Sequence, residues 1–277
     1  MSSSISRREF VLAASSLGSV MMVDQLNALA KVTKGESDVL PSKAVVMQPQ
    51  TGGRQMKPRV LAFDVNQTLL DLNALRPHFA RAFGDGKVLD EWFSLLLQYS
   101  LVVTVANAYA DFGTVGRAAL EMLAGNKKIQ IPPEDKTLIL QGILTLPPHP
   151  EISENLKRLR DAGFHMITLT NSSPTAVKSQ LQNAKLTEYF EESITVDSVR
   201  RFKPDTEVYR TAAAHLGARP DEILLIAAHA WDVFGAMKAG WRAAFIAREG
   251  ITPFPLGPKP DIVGPDLKVV ADAILKI

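Results

Sequence analysis

The chain has 277 residues, 46% hydrophobic and 22% charged, with a formal net charge of +2. That length allows one sizeable core and a smaller subdomain, and the small charge without a long basic run excludes an electrostatic nucleic-acid binder. The absence of cysteine excludes disulfides, thiolate catalysis and cysteine-ligated zinc, and leaves the compartment open.

In chain order, the first feature is Ser6-Arg7-Arg8-Glu9-Phe10-Val11-Leu12, a twin-arginine pattern, followed by an apolar, small-residue stretch from Val11 to Val23. Ala28-Leu29-Ala30 then offers the small-x-small site cut by a signal peptidase. The apolar stretch falls short of the roughly 20 residues that span a bilayer. Residues 1–30 therefore read as a signal for the twin-arginine export machinery. The expected location is periplasmic or exported, with no membrane attachment after cleavage. The alternative is an amphipathic N-terminal helix with two adjacent arginines. Residues 31–57 are polar, carry Pro41, Pro49, Gly52 and Gly53, and read as a linker.

From Arg59 onward strands and helices alternate. Val60 to Phe63 is a short apolar run read as a buried strand, and Asp64 falls at its end. Long helical segments follow, Leu89 to Ala110 and Thr114 to Leu123, up to the boundary Pro147-Pro148-His149-Pro150. Then come a helix from Glu151 to Ala162, a strand from His165 to Thr170, and a helix starting near Pro174, which suits a first helical position. Ile194 to Val196 reads as a strand, Asp205 to Leu216 as a helix closed by Gly217, and Ile223 to Ala228 as a strand. Asp232 to Ala239 reads as a helix and Arg242 to Ile246 as the last clear strand. This alternation predicts an α/β fold with a doubly wound parallel sheet. Residues 58–71 and 147–277 would form its core domain. Residues 72–146 would be a helical cap domain inserted after the first strand, over the carboxyl edge of the sheet.

Four strand ends supply polar residues in that order. They are Asp64 with Thr68, Thr170-Asn171-Ser172, Lys203-Pro204-Asp205 with Tyr209 beyond, and His229-Ala230-Trp231-Asp232. In open α/β sheets ligands gather at the carboxyl ends of strands, and the helix after Ser172 adds a field that suits an anion. Each group also has an ordinary explanation. Thr170, Asn171 or Asp232 can cap a helix, Lys203 can be a solvated lysine, and His229 can be structural.

Taken together, the segments FDVNQTLLDL, LTNSSP, RRFKPDTEVY and AAHAWDV resemble the haloacid dehalogenase-like superfamily, and within it the type II, L-2-haloacid dehalogenases. The resemblance runs from about Arg59 to Ile246 and implies a Rossmann-like core with a helical cap. It further implies that Asp64 is a nucleophile. Thr68, Thr170 and Asn171 would orient it and bind the substrate carboxylate, Lys203 would offset charge, Tyr209, grouped with the substrate-binding residues, would support the lysine, and Asp232 would fix lysine and water. Trp231 matches an aromatic residue of the fourth motif. Phosphatases of the superfamily usually carry a second aspartate two residues after the first. Here Asn66 stands there, and an amide cannot donate and recover a proton near neutral pH. The implied reaction is hydrolysis of a short 2-haloacid by water through an aspartyl ester, with no cofactor or metal and with a possible homodimer.

Two positions depart from the pattern. The arginine that receives the halide in the first cap helix is replaced by Phe93, and no arginine lies between Arg81 and Arg117. Ala227 and His229 stand where serine and asparagine are common. The halide would then be received by Asn171, Trp92, Trp231 or His229, with Phe93 shaping the pocket; otherwise the substrate differs. The alternatives are a magnesium-dependent phosphatase on the same fold, its metal held by Asp64, the Asn66 backbone and Asp232, and a non-catalytic exported protein that keeps the fold.

Overall fold

The computed structural model of the protein describes residues 57–277 together with the two-residue strand Val45–Val46. The twin-arginine segment, its cleavage site and most of the linker lie outside the described residues.

Seven strands form one sheet: β1 Val45–Val46, β2 Val60–Phe63, β3 His165–Thr170, β4 Glu192–Thr195, β5 Ile223–Ala227, β6 Arg242–Ile246 and β7 Ile262–Gly264. Their order is β1-β7-β6-β5-β2-β3-β4. β2 to β7 pair in parallel, and β1 is antiparallel on the β7 edge. All four residues of β2 and all five of β5 are buried, as expected for strands covered on both faces. Their continuous apolar runs follow from that. Burying each large side chain contributes roughly 1.5–3 kcal/mol, which offsets the desolvation of the charged groups at the strand ends.

The chain winds outward from β2 through β3 to β4, then returns to the other side of β2 and continues through β5, β6 and β7. β2 is therefore the switch point of the sheet, where a crevice opens at the carboxyl ends. Phe63 is in register with Thr168 of β3 and Ile226 of β5, so Asp64 enters that crevice directly.

Helices α1 Arg76–Phe83, α2 Val88–Val105, α3 Phe112–Lys127 and α4 Pro133–Gly142 lie between β2 and the next core helix, α5 Ile152–Asp161. The remaining helices are α6 Pro174–Asn183, α7 Thr206–His215, α8 Ala230–Lys238 and α9 Leu267–Ile274. The segment 72–145 is tied to the sheet domain by backbone and side-chain bonds. Thr104 Oγ1 accepts from Phe202 N and Gln180 Nε2 donates to the Ile143 carbonyl, while at its base Asp71 N donates to Pro147 O and brings the two connecting stretches of chain together.

Several expected boundaries move. The helix expected to reach Ala110 ends at Val105, because Asn107 turns into the left-handed region at φ +52°. The strand expected at Ile194–Val196 is Glu192–Thr195, with Val196 starting a turn. The helix expected from Asp232 starts at Ala230, since the extended His229 accepts from Asp232 N and Val233 N. Arg242–Ile246 is not the last strand. β7 and α9 follow it, and Val45–Val46, inside the stretch read as a linker, pairs with β7.

Candidate active site

Asp64 leaves β2 with its backbone N–H bonded to Ile226 O and its side chain 6% exposed in the crevice. Thr68 comes from the turn after β2 and donates Oγ1–H to Asp64 Oδ2 at 2.6 Å. Its oxygen in turn accepts from Ala228 N at 2.9 Å. Both of its bonding roles are thus used inside the protein, and Thr68 orients the Asp64 carboxylate. Lys203 arrives from the loop before α7, fully buried at its ammonium. Nζ donates to Asp64 Oδ1 at 2.9 Å, to Asp232 Oδ2 at 2.6 Å and to the Leu169 carbonyl at 2.8 Å. An ammonium has three protons, and all three are committed. The reading of Lys203 as a solvated lysine is overturned.

Asp232, in the first turn of α8, does not cap its helix. Its oxygens receive Lys203 and the Tyr209 hydroxyl, the latter at 2.6 Å to Oδ1. Tyr209 is wholly buried behind Asp232, which corrects its grouping with the substrate-binding residues: its one proton is given to Asp232, and it positions that carboxylate. Thr170 Oγ1 accepts from Ser172 N at 3.1 Å, a local turn bond rather than a helix cap. Asn171 behaves otherwise. Its Oδ1 accepts from Lys203 N at 3.0 Å, which turns its Nδ2 away from the lysine loop. The helix cap is Ser173, whose hydroxyl accepts from Ala176 N.

His229 completes the cluster. Nδ1 lies 3.0 Å from Asp64 Oδ2, and Nε2 lies 2.7 Å from Gln67 Oε1. The imidazole is stacked between Trp231, at 4.8 Å between centroids, and Phe93 of α2, at 6.0 Å. Lys203 Nζ sits 6.0 Å from the centre of the Trp231 ring, the outer limit of a cation–π contact. Phe93 thus reaches the site. Trp92 does not: its Nε1–H is donated to the Gly116 carbonyl at 2.9 Å in the interior of the helical segment. Trp92 is therefore corrected as a candidate halide donor.

Residues 58–240 match the family described as haloacid dehalogenase-like hydrolase. The chain belongs to that family. Among its relatives is (S)-2-haloacid dehalogenase 1 of Pseudomonas sp. (strain CBS-3), 31% identical over 192 residues, which are 69% of this chain and 85% of the relative. The (S)-2-haloacid dehalogenase of Pseudomonas sp. (strain YL) is 28% identical over 214 residues, 76% of this chain and 92% of that one. The L-2-haloacid dehalogenase structure from Xanthobacter autotrophicus superposes with a TM-score of 0.74 at 26% identity, covering 78% of this chain and 98% of that chain. The structure of that enzyme with chloropropionic acid covalently bound gives 0.72 at the same identity and coverage.

In this haloacid dehalogenase-like hydrolase the electrostatics separate the two carboxylates. Burial pushes Asp64 up, but Lys203 and the His229 contact outweigh it and hold Asp64 well below the ordinary carboxylate range. Burial also raises Asp232, which Lys203 opposes and the neighbouring Asp64 charge reinforces, so Asp232 stays above that range. Burial lowers Lys203, but the two carboxylates overcome it and keep the lysine charged. Two titrating groups pushed apart by environment commonly have different roles. Asp64 is the one held as an anion.

Sequence reasoning missed two contributors, Gln67 and Arg248, and left the partners of the Asn66 side chain open. Asn66 faces away from Asp64, donating Nδ2 to Ser172 Oγ at 3.2 Å and accepting from Gln180 at 2.9 Å. Gln67 meets His229. Arg248, beyond β6, donates to the Gln67 and Thr68 carbonyls at 3.0 and 2.7 Å. Gln67 carried a usable signal, a long polar residue inside the FDVNQTLLDL turn. Arg248 carried none.

Proposed function

We propose that the protein hydrolyses the carbon–halogen bond of short L-2-haloacids, releasing halide and a 2-hydroxy acid through an ester on Asp64. The observation that carries this is the unequal dressing of the two Asp64 oxygens. Oδ2 accepts from Thr68 and His229, whereas among the described residues Oδ1 accepts from Lys203 alone and keeps a lone pair for attack. The names of the relatives support the same chemistry.

In the first step Oδ1 bonds to C2 as the carbon–halogen bond breaks and halide leaves with its electron pair. Asn171 Nδ2, oriented through its own Oδ1, is the donor for the substrate carboxylate. Among the described residues it makes no other hydrogen bond. Phe93, His229 and Trp231 line the leaving-group side. Water then attacks Cγ of Asp64, and charge develops on Oδ2, where Thr68 and His229 already donate. As the Cγ–Oδ1 bond breaks, Lys203, 2.9 Å from Oδ1, gives the departing oxygen a proton. One water proton restores the lysine, and the other passes to solvent as the carboxylate is regenerated.

A single turnover with enzyme in excess in ¹⁸O water should give mostly unlabelled hydroxy acid, with the heavy oxygen in the Asp64 peptide. Labelled product with an unlabelled Asp64 peptide would sink the covalent route. Halide release should also survive excess EDTA. Lys203 Nζ lies between Asp64 and Asp232, the carboxylates a divalent cation would need.

Export is proposed on Arg7-Arg8, the apolar stretch and Ala28-Leu29-Ala30. Replacing both arginines by lysine should leave the precursor uncleaved in the cytoplasm, and continued processing would remove the claim.

A further inference from the structure

Gln67 holds an unusual backbone conformation that places its side chain on the site. Its φ is +61°, in the left-handed region that crowds any residue with a Cβ. Such strain persists where the surroundings enforce it, and often at functional sites. Here the enforcement is visible. The Gln67 carbonyl accepts from Arg248 Nε at 3.0 Å and lies 3.1 Å from His149 Nε2. Arg248 Nη2 holds the next carbonyl, Thr68 O, at 2.7 Å and pairs with Glu151 at 3.0 Å. The main chain is thus gripped on one side while the side-chain amide projects to the other, onto His229 Nε2 at 2.7 Å.

His229 needs that partner for a specific reason. An ionised Asp64 only accepts hydrogen bonds, so Nδ1 carries the proton directed at Oδ2. Gln67 is the polar group facing Nε2 among the described residues. An amide can present either its oxygen or its NH₂ group, so it serves Nε2 with or without a proton. While Asp64 is an anion, its charge draws Nδ1–H to Oδ2. Once the ester forms, that charge is gone. The stacking rings of Phe93 and Trp231 restrain the ring plane, but they do not fix its rotation within that plane. The Gln67 bond does.

We infer that Gln67 is a positioning residue, its strained backbone retained to aim the amide at His229 Nε2 and so keep Nδ1–H on Asp64 Oδ2 while the ester is hydrolysed. Gln67 exchanges no atom or proton with the substrate. The inference names the half-reaction in which Gln67 acts and for that rests on the dehalogenase reading. The His229 geometry does not.

The test is Gln67→Gly, which removes both the strain and the amide, with Gln67→Glu retaining an acceptor of the same reach. In stopped-flow measurements with L-2-bromopropionate, Gln67→Gly should release the first halide per site at close to the wild-type rate. Later turnovers should slow by about tenfold to a hundredfold, the usual loss when an outer-shell hydrogen-bond partner is removed, with KM changing little. Gln67→Glu should recover part of that rate. Without substrate, the unfolding temperature of Gln67→Gly should equal or exceed that of wild type. In an Asp64→Asn background, whose amide lacks the charge just as the ester does, the ¹⁵N signature of His229, assigned by its loss in His229→Asn, should shift on Gln67→Gly from a form protonated at Nδ1 to a mixture of Nδ1–H and Nε2–H forms. Unchanged later turnovers, or an unchanged His229 signature, would overturn the inference. A lower unfolding temperature with both half-reactions slowed alike would make Gln67 merely structural. A wild-type protein that releases no halide would sink the dehalogenase reading and leave the ¹⁵N and thermal outcomes to judge Gln67.

Discussion

Lys203 illustrates what the sequence reveals at the scale of one residue and what it withholds. Its place after the third motif strand marks it as a site residue, but the saturation of its three protons by Asp64, Asp232 and Leu169 O depends on the packing of three strand ends. In the proposed reaction Lys203 would therefore act on a substrate carboxylate through its field, without a proton left for a direct hydrogen bond. Tyr209 is the same lesson in reverse. From the sequence it stands near the lysine; in the fold it lies behind Asp232 because α7 and α8 pack side by side. Tyr209→Phe should lower kcat and leave KM nearly unchanged, since the hydroxyl meets only Asp232. A hydrogen bond to a charged group contributes about 1.5–3 kcal/mol, so a fall of roughly tenfold to a hundredfold is expected. Steady-state kinetics checks it, and a KM effect without a kcat effect would return Tyr209 to the substrate side.

Among the elements, those with long apolar runs and ordinary stop signals were legible. His165–Thr170 was expected at both ends where it is found, and β2 and β5 stand out as uninterrupted buried runs between polar turns. β7 was not legible. Three residues after a proline-rich stretch carry no period, and the strand exists because β6 and β1 flank it. The contact between α7 and α8 was hidden as well, and it makes a prediction of its own. A Cβ on Gly235 would lie 2.5 Å from Pro204 Cβ, 2.8 Å from the Pro204 carbonyl and 2.8 Å from the Tyr209 hydroxyl. Gly235→Ala should therefore destabilise the fold by about 1–3 kcal/mol, the usual cost of overpacking, as read by urea unfolding. Because the pushed hydroxyl belongs to Tyr209, kcat should fall as well. A stable, fully active Gly235→Ala would mean that α7 and α8 can separate freely.

For the whole molecule, the decisive property is that one buried lysine serves two buried carboxylates whose proton affinities are driven apart. The order of the four motifs made the membership of this cluster readable, whereas its titration depends on burial and distance, which no spacing encodes. Asp64 is depressed, so its contribution to stability is present above the ordinary value of 3.8 and is lost as the pH falls through its lowered value. Asp232 is raised, so its contribution is complete below 3.8 and is lost as the pH rises through its raised value. On acidification the first proton therefore goes to Asp232, before Asp64 is touched, and the two steps belong to the pair. With its carboxylate protonated, Asp232 no longer holds Lys203 as an ion partner, and the lysine is less firmly placed on Asp64 Oδ1. The acid limb of kcat/KM should accordingly fall above 3.8 in the wild type. In Asp232→Asn, the reduced activity that remains should keep its level to lower pH, because Asp64 is then the only carboxylate of the pair and is itself depressed. A pH–rate profile of both proteins measures this directly. A wild-type limb at or below 3.8, or one that Asp232→Asn leaves in place, would show that the first proton does not go to Asp232.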